Sequence, residues 1–134
     1  MDLVVDANVI VSCLISFANK TSELFFSDSL HFFAPEYLKD EIGKYKEEIM
    51  RKSGFNPADF NLALALLCSK IEFVPFSDFK SFIPEAINVC PDPKDVEYFA
   101  LALKIHCSFW SNDKKLKGQE KVKVLSTSEL LSLF

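Results

Sequence analysis

Asp6, Glu41, Asp95 and Asp113 are the residues whose type and placement point to chemistry in this chain. Each falls at the edge of an apolar element. Asp6 closes the run Leu3-Val4-Val5, and a charge that ends a buried strand is rarely present without a partner. Glu41 lies about two turns into a helical stretch that follows a second apolar run. Asp95 sits in the first turn of a helix starting at Pro93, and Asp113 follows the run that ends Trp110-Ser111-Asn112. Carboxylates gathered in one place repel, so none favours ionisation beside the others. Oxygen ligands without His or Cys suit a hard divalent cation, Mg²⁺ or Mn²⁺. Such an ion activates water and clamps a scissile phosphate, which is the chemistry of phosphodiester hydrolysis without a covalent intermediate.

Spacing alone does not bring four acids together; the elements that carry them must. Residues 2–6 read as a short buried strand, and residues 8–18 as a helix with Val9, Ile10, Cys13, Leu14 and Phe17 on one face. Asn19-Lys20-Thr21-Ser22 reads as a break, residues 23–27 as a short helix and residues 31–34 as a second strand. Pro35 is expected to open a helix running to about Lys52, with Leu38, Ile42, Tyr45 and Ile49 inward. Gly54 stops it, and Asn56 caps the next helix, whose stripe is Phe60, Leu64, Leu67 and Ile71. Residues 72–75 form a third strand, and 78–88 short helical turns broken by Pro84. Asp92-Pro93 opens a helix through Val96, Phe99, Ala100, Leu103 and Cys107. Residues 108–111 and 122–125 are the last two strands. Ser126-x-x-Glu129 is a capping box that opens a final helix.

Strands that alternate with helices predict a three-layer α/β/α fold with a mostly parallel five-stranded sheet, residues 1–134 forming one domain. A parallel sheet puts the ends of all its strands on one side. The ends of the first and fourth strands can be neighbours across the point where the strand order reverses, an arrangement that would bring Asp113 to Asp6. A helix N-terminus aimed at that point brings Asp95.

Composition narrows the classes further. Hydrophobic residues make up 49% and include 14 Phe, enough for a core. With only three Gly there is no G-x-x-x-x-G-K and no G-x-G-x-x-G, so the common phosphate cradles are missing. Net charge is −4, from 15 basic and 19 acidic residues. Setting aside the four candidate ligands leaves 15 acids against 15 bases, a neutral body around an acidic pit. Cys13, Cys68, Cys90 and Cys107 form no C-x-x-C pair and read as free thiols. His31 and His106 read as structural, and Trp110 as core. The absence of a signal peptide and of an apolar stretch of about 18 residues implies a cytoplasmic protein. Each acid also has a plainer role available. Asp95 suits a helix dipole, Asp92 an N-cap, Asp113 a turn, and Glu41 a charged helix face with Asp40, Glu47 and Glu48.

Val4-Val5-Asp6-Ala7-Asn8-Val9, Pro35-x-x-Leu38-x-x-Glu41, Asp92-Pro93-Lys94-Asp95 leading into Phe99-Ala100-Leu101-Ala102, and Trp110-Ser111-Asn112-Asp113-Lys114 together resemble the PIN-domain family. The resemblance covers nearly the whole chain, in the family's order. It implies a five-stranded parallel sheet and a Mg²⁺- or Mn²⁺-dependent ribonuclease, similar to the VapC toxins of toxin–antitoxin pairs. It carries the ligand roles onto Asp6, Glu41, Asp95 and Asp113, with Asn8 and Ser111 orienting ligands or water from behind. Either Asp92 or Asp95 fits as the third acid. Asp95 is preferred because Ala100 and Ala102 follow it at the family's distance, which leaves Asp92 a supporting position. An RNA substrate, an antitoxin protein and a homodimer are the partners implied, and the apolar-rich hairpin of residues 36–71 offers a packing surface. Lys114, Lys115, Lys117, Lys121 and Lys123 crowd the segment after Asp113. They read either as a solvated loop or as a rim gripping RNA phosphates, with Lys114, Lys115 and Lys117 the nearest candidates. Two other classes place an acid after the first strand. Haloacid-dehalogenase-like phosphatases need a second Asp where this chain has Asn8, and receiver domains need paired acids where it has only Asp6.

Overall fold

The computed structural model, which describes residues 1–17 and 19–134, contains a five-stranded parallel sheet. Its strands are β1 (Asp2–Val5), β2 (His31–Pro35), β3 (Ile71–Val74), β4 (Ser108–Trp110) and β5 (Val124–Leu125). They lie in the order β3-β2-β1-β4-β5, with Val4 paired to Phe33 on one side and Phe109 on the other. The helices are α1 (Ala7–Ile15), α2 (Lys20–Phe25), α3 (Tyr37–Lys44), α4 (Lys46–Ser53), α5 (Pro57–Cys68), α6 (Phe76–Phe79), α7 (Ile83–Val89), α8 (Val96–Ile105) and α9 (Thr127–Leu133).

Leu3, Val4 and Val5 of the central strand are buried on both faces, as expected of a parallel strand covered by helices. Consecutive residues of β4 point to opposite faces and show which helices lie where. Trp110 packs on Phe25 of α2 and Phe32 of β2, whose own rings stack 4.4 Å apart. Phe109 packs on Tyr98 and Phe99 of α8. The expected three-layer arrangement is therefore present, with α8 and α2 on opposite sides. The strand order reverses between β1 and β4, the crevice where ligands of open α/β sheets bind.

Several local expectations are corrected. Pro35 does not open a helix; it ends β2, paired with Val74, and α3 begins at Tyr37. Its fixed φ suits an extended strand, and at the last position its missing N–H falls where the ladder stops. The single helix expected to Lys52 is two, divided at Tyr45 (φ −103°, ψ 6°), two residues after Gly43, which weakens a helix interior. Asn19 is not part of a break but the cap of α2, accepting the Ser22 N–H at 3.0 Å. Pro84 does not break a helix; it lies in the first turn of α7. Ile71 starts β3 instead of ending the stripe of α5, because a β-branched apolar residue fits either period. Cys107 lies beyond α8, which ends as His106 turns left-handed at φ 59°. The expected helix of residues 8–18 is α1, and its last position, Ala18, lies outside the described residues.

The four cysteines are free, with Cys13 fully buried. Trp110 is core, its Nε1–H donating to Thr127 Oγ1 at 3.0 Å. Among the described residues, no helix is long and apolar enough to cross a membrane.

Candidate metal centre

The chain leaves β1 at Asp6, whose backbone N–H still donates to Trp110 O of β4 at 3.0 Å. Asp6 then caps α1. Its carbonyl accepts the Val9 N–H and its Oδ1 accepts the Asn8 N–H at 3.2 Å, the usual service of an aspartate at a helix start. The cap leaves Oδ2, which accepts a 2.7 Å hydrogen bond from the Ser111 hydroxyl. Ser111 continues β4 toward β5, its N–H donating to Leu125 O. The Asp113 N–H in turn donates to Ser111 Oγ at 3.2 Å. One buried serine thus ties the ends of β1 and β4 together, and Asp6 and Ser111 are only 4% and 1% exposed.

Asp92 and Asp95 reach the same edge from the start of α8. Asp92 Oδ1 caps the 3-10 turn Pro93–Asp95 by accepting the Lys94 N–H. The N-cap role foreseen for Asp92 is present. Asp113 caps the turn Lys114–Lys117 in the same way, accepting the Lys115 N–H. One carboxylate oxygen from each of Asp92, Asp95 and Asp113 lies within 4.8 Å of the others. Glu41, half-buried on α3, accepts a short hydrogen bond from the Tyr98 hydroxyl of α8.

Electrostatics join these acids into one field. Burial and the nearby charges of Asp6, Asp92, Asp113 and Glu41 push Asp95 up to about 7. Burial, opposed by the bonds from Ser111 and Asn8 and assisted by Asp113, raises Asp6. Burial raises Glu41, with Tyr98 opposing and Asp6 adding to the rise. Burial first, and then one another's charge, disfavours ionisation of these acids, and a cation would relieve both. The donor set fits a hard divalent ion: carboxylate oxygens only, from the start of α8 and the end of β4, with no soft ligand among the clustered groups.

A PIN-domain family model matches residues 4–132. The chain belongs to the PIN-domain family. Among solved structures it is similar to VapBC2 from Rickettsia felis, crystallised with a DNA fragment from their promoter. Identity there is 11% and the TM-score 0.72, over 94% of this chain and 98% of that one, a likeness of fold. No curated protein matches.

In this PIN domain, Asp95 and Asp113 of the acids named from sequence meet Asp92 in one cluster, whereas Asp6 and Glu41 stand outside that cluster and act on Asp95 through their charge. Asn8 is exposed, and its backbone N–H, not its side chain, is what reaches Asp6. The lysine segment divides. Lys114 and Lys117 line a cleft of about 490 Å³ with Ser111, Asn112 and Asp113, and Lys115 is exposed beside them. Lys117 is ion-paired with Glu129 of α9. Lys121 and Lys123 reach the opposite edge, although Lys123 also shares a cleft with Lys117 along the way. They line a cleft with Met1, Asp2, His106 and Ser108 at the strands' starting edge, because the chain must return there to begin β5.

Sequence reasoning missed Tyr98, which lies outside the aliphatic stripe read for α8. Only the structure shows the need: a tyrosine buried to 1% exposure requires a partner for its hydroxyl. It also missed Asn112, whose Oδ1 accepts the Thr127 N–H and so fixes the start of α9 against the β4 end.

Proposed function

We propose that this PIN domain is a Mg²⁺- or Mn²⁺-dependent endoribonuclease, acting as the toxin of a toxin–antitoxin pair, with residues 1–134 working as one cytoplasmic domain. The observation that carries the reading is Asp95, pushed up to about 7 by burial and four surrounding acids at the β1–β4 crevice. Asp6, Glu41, Asp95 and Asp113 are the proposed ligands, with Asp92 in support. When bound, the ion supplies Lewis-acid activation of water and of the scissile phosphate.

The chain's own residues do the rest. Ser111 and the Asn8 N–H hold Asp6 in one orientation, so its carboxylate need not reorganise when substrate arrives. Asp95 releases its proton on metal entry, which ties metal affinity to pH. Lys114, Lys115 and Lys117 flank Asp113 and hold RNA phosphates without reading bases. For Lys117 this requires exchange of Glu129 for a phosphate, both being exposed and solvated. A second copy of the chain and an antitoxin protein are the proposed partners. The exposed Leu62 and Leu66 of α5 supply apolar surface for such contacts.

A second reading keeps the acids without cleavage and makes the chain a module that binds protein or RNA; the exposed α5 face favours it. Incubating wild type and Asp6→Asn with structured and single-stranded RNA, in Mn²⁺ or EDTA, separates the two. Cleavage by wild type in Mn²⁺ alone is expected. RNA left intact in every lane would remove the nuclease reading.

A further inference from the structure

We infer that Tyr98 is a positioning residue for Glu41, fixing one carboxylate oxygen so that the other faces the metal centre. The inference rests on the metal reading above and adds a residue to it. Glu41 is the odd member of the acid set. Asp6, Asp92 and Asp113 are short side chains whose oxygens are pinned by adjacent backbone N–H groups. Glu41 comes from α3, with a longer and freer side chain that is only half-buried. Left to itself, such a carboxylate turns to water, and holding it costs side-chain entropy.

The Tyr98 hydroxyl meets that need. It donates to Glu41 Oε1 across 57 residues of sequence. The ring that carries it does not move freely. It is 1% exposed and stacks on Phe109 of β4, with centroids 5.7 Å apart and planes at 26°. Phe109 is two residues before Ser111, which holds Asp6. Tyr98 is three residues after Asp95, a spacing that puts both on one side of the helix start. One rigid aromatic pair therefore references Glu41 to the same two elements, β4 and α8, that place Asp6 and Asp95. The hydroxyl occupies Oε1 and leaves Oε2 for a cation, and a donor behind a ligand both orients it and tunes its strength.

The alternative is that Glu41 merely satisfies a buried phenol. Tyr98→Phe keeps the ring and its stacking, so its thermal midpoint serves as the check on folding. Mn²⁺ binding by calorimetry is the main readout, with kcat and KM on RNA beside it. Tyr98→Phe is expected to weaken Mn²⁺ binding roughly 10-fold and to lower kcat while KM for RNA stays unchanged, the scale of losing a partner behind a ligand. Repeating the change in an Glu41→Ala background is expected to do nothing more, because the hydroxyl then has no carboxylate to hold. Equal Mn²⁺ affinity of wild type and Tyr98→Phe would overturn the inference while leaving the metal reading intact. So would an equal loss with and without Glu41. A wild type that binds no Mn²⁺ overturns both.

Discussion

The two edges of the sheet differ in what surrounds their charges. At the starting edge of the strands, Met1, Asp2, His106, Lys121 and Lys123 line a cleft of about 740 Å³. Its charges are of both signs and exposed, and Asp2 is already paired with His31 at 3.5 Å. At the finishing edge the cleft is smaller, about 490 Å³, and next to it stand Asp6, Asp92, Asp95 and Asp113. These share one sign, and Asp6 is buried. A mixed exposed edge is at ease in water. A buried edge of like charge is under electrostatic strain that the fold maintains through caps and through Ser111. Strain of this kind, not cavity size, singles out a candidate site.

Asp6→Asn breaks the finishing edge most severely. It removes the charge around which β1, α1 and β4 meet. Mn²⁺-dependent RNA cleavage should fall by roughly a thousandfold, or about 4 kcal/mol of lost stabilisation. Single-turnover cleavage measures it, and wild-type rates in the variant would mean that Asp6 is no ligand. Asp95 and Asp92 come next. Asp95 feels four other acids, whereas Asp92 spends an oxygen on its cap. Calorimetry should show Asp95→Ala weakening Mn²⁺ binding about 100-fold and Asp92→Ala about 10-fold. Equal losses would defeat the ranking.

The strain also has a pH signature. Asp95 titrates near 7 in the native chain, well above its value of about 3.9 when unfolded. Between those values the native state keeps a proton that the unfolded chain has released. The stabilisation is complete below pH of about 4 and is lost as pH rises through about 7. Asp6 and Glu41 are shifted in the same direction. Metal-free protein should therefore melt lower at pH 8 than at pH 5. Asp95→Asn should recover a few degrees at pH 8, where about 1 kcal/mol moves Tm by roughly 4 °C. Mn²⁺ affinity should fall as pH drops through about 7, because the cation must displace that proton. A variant that melts no higher than its parent would remove the strain.

How much of this was legible from sequence follows from range. Asp6 was legible because an acid ending Leu3-Val4-Val5 is anomalous within a local window. The sheet was legible because its strands alternate with helices. Boundaries at Pro35, Tyr45 and Ile71 failed where one residue suits two conformations and tertiary packing chooses. The Tyr98–Glu41 bond joins residues 57 apart, and no local pattern encodes it. The lysines were legible only in part, for a topological reason. Residues 114–123 look like one basic segment, yet they run from the finishing edge to the starting edge of the sheet.

That division gives the smallest of the expected effects. Replacing Lys114, Lys115 and Lys117 with Ala should lower RNA affinity severalfold and reduce the salt slope by about two or three, one phosphate contact each. Replacing Lys121 and Lys123 should leave both unchanged. Equal effects of the two sets would erase the distinction between the edges for RNA binding.

The most direct measurement is anomalous diffraction from a crystal soaked in Mn²⁺. A peak among the carboxylates of Asp6, Glu41, Asp95 and Asp113 at the finishing edge is expected. A peak held by Asp2 and His106 at the starting edge, or no peak among the clustered acids, would contradict it.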